Sequence, residues 1–134
     1  MNSKIVQEIA ERGKREQWPY PRIFDALKNA GVESYAVEVS NRRIVHHGGD
    51  VEWVEPSPPE AVTLPIADRF DEDALKLALR RVQEKKTDYI EFLREIADAG
   101  VRSYRVDMKT RTVTYAGRAG EEHVENVPRS IAAI

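Results

Sequence analysis

Apolar residues recur at the three- and four-residue spacing of an α-helix in the segment from about 88 to 99. Asp88 can cap the start of this helix, and Gly100 stands where a left-handed C-cap belongs. An earlier segment shows the same pattern, with Pro21 suited to the first helical turn and Gly31 following the last apolar position. The chain therefore specifies one kind of helix twice, with largely different residues.

Two further helices are predicted ahead of these. Segments of about 3–13 and 71–85 both place apolar residues at helical spacing, and Asp71 is suited to cap the second of them. Each half of the chain is therefore expected to begin with a pair of helices.

The pattern changes from helical to alternating after each glycine. The segments VSNRRI and MKTRTV are predicted turns, so each half carries a hairpin with one buried side and one solvent-facing side. VEWVE, at 51–55, is a candidate third strand in the first half. On the buried side, the first strand of each hairpin has three apolar residues, of which the first is a tyrosine. These residues are Tyr35, Val37 and Val39 in the first half and Tyr104, Val106 and Met108 in the second.

The two halves also resemble each other residue by residue. When 20–48 is compared with 89–117, nine of the 29 aligned positions are identical, which indicates an internal duplication. The expected fold is therefore α+β, with duplicated helix-helix-hairpin units packed with pseudo-two-fold symmetry. Such pairing would cover a sheet edge that a lone hairpin leaves bare. The identical pairs are Tyr20/Tyr89, Ala30/Ala99, Gly31/Gly100, Val32/Val101, Ser34/Ser103, Tyr35/Tyr104, Val37/Val106, Arg42/Arg111 and Gly48/Gly117.

We expect residues 1–134 to form a single domain. It consists of a repeat unit at 1–54, a linker at 55–65 that holds four prolines, and a second repeat unit at 66–134. One continuous core should join both helices to both hairpins. Its predicted members are Phe24, Leu27, Tyr35, Val37, Leu93, Ile96, Tyr104 and Val106.

Composition narrows the classes of function. The chain has 21 Lys and Arg against 23 Asp and Glu, so its net charge of -2 gives no electrostatic footprint for nucleic acid. It has no cysteine, no apolar run long enough for a membrane span, and a charged N-terminal stretch unlike a signal peptide. We therefore expect a soluble, cytoplasmic protein without membrane or nucleic-acid partners. The sequence contains no nucleotide-binding motif, and no cofactor is expected.

The second half resembles a family of small bacterial and prophage proteins of unknown function, called YdfO-like and often labelled phage envelope protein. The first half, YPRIFDALKNAGVESYAVEV, is similar to that family's N-terminal half. The resemblance implies no particular activity. It rests on a helix with Tyr and Phe, an AGV-x-x-Y turn and a closing G-R-x-G-x-x-H-x-E-x-x-P, which here are Tyr89, Phe92, Ala99, Gly100, Val101, Tyr104, Gly117, Arg118, Gly120, His123, Glu125 and Pro128.

Polar chemistry concentrates in the closing segment GRAGEEHVENVP, for which the first half shows no counterpart at the same offset. If 122–127 is a strand, His123 and Glu125 share one face, within reach of Arg118. With Tyr115 they form a candidate site for a small polar or anionic ligand, in which Arg118 contacts the anion and Glu125 orients His123. The alternative is a structural ion-pair cluster that fixes the C-terminal segment to the sheet.

Two function classes stay open. The first is a binding module for a small polar or anionic ligand or a protein partner, and the second is an enzyme that uses His123 as general base. A metal site at His46 and His47 is disfavoured, because adjacent strand residues point to opposite faces. Tyr35 and Tyr104 are interpreted as core aromatics with their hydroxyls at the rim.

Overall fold

The computed structural model describes residues 1–127, and this part of the chain is a mixed α+β structure with four helices and a six-stranded antiparallel sheet. Pro128, which contributes to the family resemblance, lies outside the described residues together with 129–134. No helix within residues 1–127 is both long and apolar enough to cross a membrane.

All four predicted helices are present, and capping side chains explain where three of them begin. The Asp71 carboxylate accepts a hydrogen bond from the Ala74 amide at 3.0 Å, and Asp88 accepts one from the Glu91 amide at 2.8 Å. Both N-cap predictions are thus confirmed. The helices are α1 (Ser3–Arg15), α2 (Tyr20–Asn29), α3 (Glu72–Gln83) and α4 (Tyr89–Asp98).

Each half has three strands, one more than the predicted hairpin. VEWVE is the third strand of the first half, so the predicted linker at 55–65 overlaps this strand at Glu55. The strands are β1 (Ser34–Glu38), β2 (Ile44–Gly48), β3 (Val51–Glu55), β4 (Val101–Asp107), β5 (Thr112–Gly117) and β6 (Glu122–Asn126). Their spatial order is β3-β2-β1-β4-β5-β6, which places one half on each side of the central β1-β4 pair.

The glycines that follow α2 and α4 turn the chain from helix into strand. Gly31 has a φ of 95° and Gly100 a φ of 85°, which confirms the predicted left-handed conformation at both positions. At Gly100 the backbone is also crowded, because an added Cβ would lie 2.2 Å from the Arg69 carbonyl oxygen. The Asp71 amide donates to the Ala99 carbonyl at 2.8 Å, so the segment that leads into α3 runs against this turn.

The central β1-β4 pair sets the relation between the two halves. Its register places Tyr35 opposite Val106, Ala36 opposite Arg105 and Val37 opposite Tyr104. The tyrosine of each strand thus lies opposite a valine of the other, on the same face of the sheet.

That face carries the core. All eight residues predicted for the core belong to one cluster of buried side chains, which also includes Val6 of α1 and Leu75 of α3. The prediction of one continuous core is therefore confirmed. On the opposite face His47 and Arg105 are exposed, so the sheet has one helix-covered and one solvent-facing side.

A Gly100→Ala substitution tests the crowded helix-to-strand turn. Gly120 serves as the matched control, because its φ is 88° but nothing lies within 4 Å of an added Cβ. We expect Gly120→Ala to lower the free energy of unfolding by about 1–2 kcal/mol, the cost of the left-handed conformation alone. Gly100→Ala should lower it by ~3 kcal/mol or more because of the added clash. Equal losses in urea unfolding would show that the contact with the Arg69 carbonyl adds nothing.

Candidate functional site

Four tyrosines pair their hydroxyl groups beneath the helices. Tyr20, the first residue of α2, and Tyr35 of β1 have hydroxyl oxygens 2.6 Å apart. Tyr89, the first residue of α4, and Tyr104 of β4 make the same contact at 2.6 Å. Each pair ties the start of a helix to a central strand. These contacts correct the expectation that the hydroxyls of Tyr35 and Tyr104 lie at the rim, because both residues are buried.

The paired hydroxyls are protonated at neutral pH. Burial raises the pKa of Tyr20 to about 12, against a smaller opposing effect of the hydrogen bond with Tyr35. Burial also raises the pKa of Tyr35 and of Tyr104 well above the ordinary value, and the neighbouring tyrosines reinforce the shift. The four phenols therefore present neutral rings with hydrogen-bonded hydroxyls.

Between these tyrosines, α1, α2 and the sheet lies a cavity of about 200 Å³. Both halves of the chain contribute, since Tyr20 and Tyr35 come from the first and Tyr89 and Tyr104 from the second. The rest of the wall is mainly aliphatic, with three ionisable side chains, and consists of Ala10, Ile23, Leu27, Val37 and Ile44, followed by Lys14, His46 and Glu55. A mainly apolar wall with a few polar groups is typical of a small-molecule site.

The Lys14, Glu55 and His46 side chains form a chain of polar contacts that runs inward from the rim of the cavity. The Lys14 ammonium donates to Glu55 Oε2 at 2.9 Å, and His46 Nε2 lies 3.5 Å from Glu55 Oε1. Lys14 is 61% exposed, whereas the side chains of Glu55 and His46 are 12% and 4% exposed. Burial raises the pKa of Glu55, but the contacts with His46 and Lys14 outweigh it and hold the pKa below its ordinary value.

His46 is buried between two aromatic rings. Its imidazole stacks on Trp53 at a centroid distance of 5.2 Å and lies 5.8 Å from the Tyr35 ring. The 3.5 Å approach to Glu55 is within ion-pair range but lacks hydrogen-bond geometry. Neither ring nitrogen has a hydrogen-bond partner among residues 1–127, and of the two only Nε2 faces the Glu55 carboxylate.

The predicted pair of His123 and Glu125 is present on β6. His123 Nε2 lies 2.9 Å from Glu125 Oε1, and His123 Nδ1 lies 3.2 Å from Glu72 Oε2 at the start of α3. The contact with His123 is the main cause that lowers the pKa of Glu72. These two contacts attach β6 to α3, as a structural cluster would.

Arg118 pairs with the segment that precedes α3, and Tyr115 lies opposite His123 on the neighbouring strand. The Arg118 guanidinium donates to the Asp68 carboxylate at 2.8 Å and to the Ile66 carbonyl at 3.4 Å. Tyr115 is fully buried, with its ring 5.6 Å from that of Tyr104, and its hydroxyl has no hydrogen-bond partner within the described part of the chain. Burial, followed by the nearby Glu125 charge, raises the pKa of Tyr115.

The sheet register supplies a counterpart for Glu125 that the constant offset of 69 residues missed. Glu125 lies opposite Val113, and Glu55 lies opposite Ile44 in the corresponding place of the other half. Ile44 and Glu55 are 11 positions apart, whereas Val113 and Glu125 are 12 apart, so one extra residue in the second hairpin shifts the alignment at this point. The expectation that this glutamate is unique to the second half is therefore corrected.

The histidines occupy exchanged places in the two halves. On one side of the sheet His46 lies opposite Trp53, and on the other Tyr115 lies opposite His123. Each half thus has one histidine, one other aromatic residue and one glutamate on the helix-covered face of its outer strands. The cavity borders the set from the first half, at His46 and Glu55.

Sequence reasoning missed Lys14, Tyr20, Glu55 and Tyr89 as members of one site. The identical pairs Tyr20/Tyr89 and Tyr35/Tyr104 carried a signal, since the two tyrosines of each half are 15 residues apart. His46 was correctly placed on the apolar face, and its neighbour His47 points to the other side. Within the described residues, no group of three or more His, Cys, Asp or Glu side chains is placed to hold a metal ion.

A second hollow lies at one end of the solvent-facing side of the sheet. Its wall is polar and includes Ser34, His47, Arg105, Asp107 and Lys109. Apart from Ser34 and Asp107, these side chains are exposed, so water already solvates their charges. The tyrosine-lined cavity is therefore the stronger candidate for a ligand site.

The fold and the cavity define a mixed α+β protein with a tyrosine-lined cavity. The family model described as "Protein of unknown function (DUF1398)" matches residues 7–126, and the chain belongs to this family. It is 27% identical over 107 residues to uncharacterized proteins Mb2035 of Mycobacterium bovis and Rv2012 of Mycobacterium tuberculosis. The match covers 80% of this chain and 65% of those relatives, less than two thirds of their length. The YdfO-like and phage envelope labels stay predictions.

Replacement of Glu55 tests the contacts between Lys14, Glu55 and His46, because these contacts should make the stability of the protein depend on pH. Because the folded-state pKa of Glu55 is lowered, its stabilising contribution is present above the ordinary value of 4.5 and is lost as the pH falls through the folded-state pKa. Glu55→Gln should therefore lower the free energy of unfolding by about 1–2 kcal/mol at pH 7. The two proteins should converge in acid. Glu60→Gln, in the exposed linker, is the control, and a pH-independent difference for Glu55→Gln would contradict the account.

Proposed function

We propose that the protein is a binding module for a small organic molecule, which occupies the tyrosine-lined cavity. The observation that carries the proposal is the combination in one cavity of a mainly apolar wall and a few convergent polar groups. His46 adds a ring nitrogen, Nδ1, that has no hydrogen-bond or ion-pair partner among residues 1–127, which suits recognition of a ligand.

The size of the cavity limits the ligand. At about 200 Å³ it exceeds a cavity of about 150 Å³ that is known to hold benzene, so a molecule with one ring and a short substituent fits. The hydroxyls of Tyr20 and Tyr35 already bond to each other, as do those of Tyr89 and Tyr104. The rings are thus held in place before a ligand binds, which reduces the entropy cost of binding.

We also propose that the two halves arose by duplication, with pseudo-two-fold symmetry about the β1-β4 pair. The support lies in the order of elements, which is two helices and then three strands in each half. In the central register, Tyr35 and Val37 face Val106 and Tyr104, the arrangement expected of two like strands related by a two-fold axis between Ala36 and Arg105. The two units then form a single domain, and both contribute residues to the cavity wall. The cytoplasmic location expected from the sequence stays a prediction.

A second candidate function retains the site predicted on β5 and β6. Here Tyr115, Arg118, His123 and Glu125 serve an anionic or polar ligand, or an enzyme that uses His123 as general base. The specific support is the 2.9 Å contact between His123 and Glu125, which fixes the ring as an oriented base requires. Against it stands the second carboxylate at Glu72, which takes up the other ring nitrogen.

Filling the cavity tests the leading proposal. Ala10 of α1 lines the cavity, and Ala10→Leu should reduce the affinity of any bound probe about tenfold or more because the added atoms occupy its space. A thermal-shift screen of metabolites and simple aromatic compounds would provide the probe, and calorimetry the affinity. Ala26→Leu in α2, which is outside the cavity wall, is the control. A probe that binds both variants equally well lies elsewhere, and a protein-partner role would then gain support.

Substitution of His123 by Ala tests the second candidate. If His123 only attaches β6 to α3, as its two carboxylate contacts suggest, the free energy of unfolding should fall by about 1–3 kcal/mol while ligand binding is unchanged. This is the result we expect. Unchanged stability together with loss of ligand-induced stabilisation would instead assign the ligand site or general base to His123.

A further inference from the structure

Glu55 and Lys14, the ion pair in the cavity wall, differ in how far their side chains are buried. Glu55 is held on β3 with its side chain only 12% exposed, whereas Lys14 reaches in from α1 and is 61% exposed. A buried carboxylate requires a counter-ion, because an unpaired charge in such a place is strongly unfavourable. Lys14 supplies this counter-ion from the rim, on a flexible stem that also places its ammonium in water at little cost.

The aromatic wall of the cavity also favours a positively charged ligand. Tyr20, Tyr35, Tyr89 and Tyr104 line the cavity, and the face of an aromatic ring attracts a cation through its quadrupole. Their hydroxyls are held in neutral pairs, 2.6 Å apart in each case. Aromatic rings and a carboxylate in the wall of one cavity are the groups from which other proteins build sites for quaternary ammonium ligands.

We propose that the ligand is a small organic cation that takes the place of the Lys14 ammonium beside Glu55. This inference rests on the proposed function and specifies the chemical class of its ligand. A cation that enters leaves Glu55 paired and returns Lys14 to solvent, so no buried charge is left without a partner. An anion would have to draw Lys14 away and would lie beside a Glu55 carboxylate whose remaining contact is the His46 ring, 3.5 Å away.

Three probes of nearly the same shape and different charge separate the alternatives. Benzyltrimethylammonium is a cation, neopentylbenzene replaces its nitrogen by carbon, and phenylmethanesulfonate is an anion of similar size. Calorimetry and ligand-observed NMR on the full chain should show the cation binding at least tenfold more tightly than either of the others. Ala10→Leu should weaken this binding, which places the probe in the cavity.

Two substitutions should then act in opposite directions on the cation. Glu55→Gln removes the counter-ion and should weaken binding about tenfold or more. Lys14→Met keeps most of the stem but removes the competing ammonium, so binding should tighten several-fold. Lys28→Met on α2 is the control, because this exposed lysine is not part of the cavity wall and should change nothing. Thermal unfolding of each variant verifies that it is folded.

The possible failures differ from one another. If the neutral or anionic probe binds at least as tightly as the cation and Ala10→Leu still blocks it, the small-molecule site stands and the cation proposal is overturned. Weaker binding after Lys14→Met would overturn it equally. If none of the three probes binds, or if Ala10→Leu has no effect on the probe that does, the proposed function fails together with the assignment of its ligand.

Discussion

The antiparallel pairing of β1 with β4 is the constraint on which the structure depends. It joins the two halves into one sheet, in which β3 and β6 are the edge strands among residues 1–127. Its register places Tyr35 and Tyr104 near the middle of the same face, each opposite a valine. A shift of either strand by one residue would turn its tyrosine to the solvent-facing side and remove the anchor of α2 or of α4. The pairing of β1 with β4 therefore positions the residues of both the core and the cavity wall.

The tyrosine hydroxyls connect the β1-β4 pair to the helices that cover it. Tyr20 and Tyr89 begin α2 and α4, and each bonds through its hydroxyl to a tyrosine of a central strand. A buried hydroxyl without a partner is costly, so each pair fixes the position of its helix as well as satisfying a polar group. The aromatic rings that result are rigid, and the cavity wall is formed before any ligand arrives.

The sequence predicted the elements well, because helical and alternating periodicities are local properties. Asp71 and Asp88 marked helix starts and Gly31 and Gly100 marked helix ends, each through a hydrogen bond or a backbone angle that a few residue types favour. The alternating pattern also placed His46 on the buried side of its strand. These features required no knowledge of how the halves pair.

The cavity could not be predicted in this way, because its wall joins residues that are far apart along the chain. Lys14 and Glu55 are 41 positions apart, and their contact depends on how α1 crosses β3. The relation of Glu55 to Glu125 was hidden by one extra residue in a turn, which only the strand register reveals. His123 and Glu125 were found because two residues on one strand share a face.

The most direct measurement is the location of a bound cation by NMR. With benzyltrimethylammonium present and the tyrosine rings labelled, we expect nuclear Overhauser contacts from its methyl protons to the rings of Tyr20, Tyr35, Tyr89 and Tyr104, which line the cavity. All five tyrosines of the chain serve as reporters, and Tyr115 lies outside the cavity wall. Contacts confined to Tyr115, or none to any tyrosine from a cation that binds, would contradict the account.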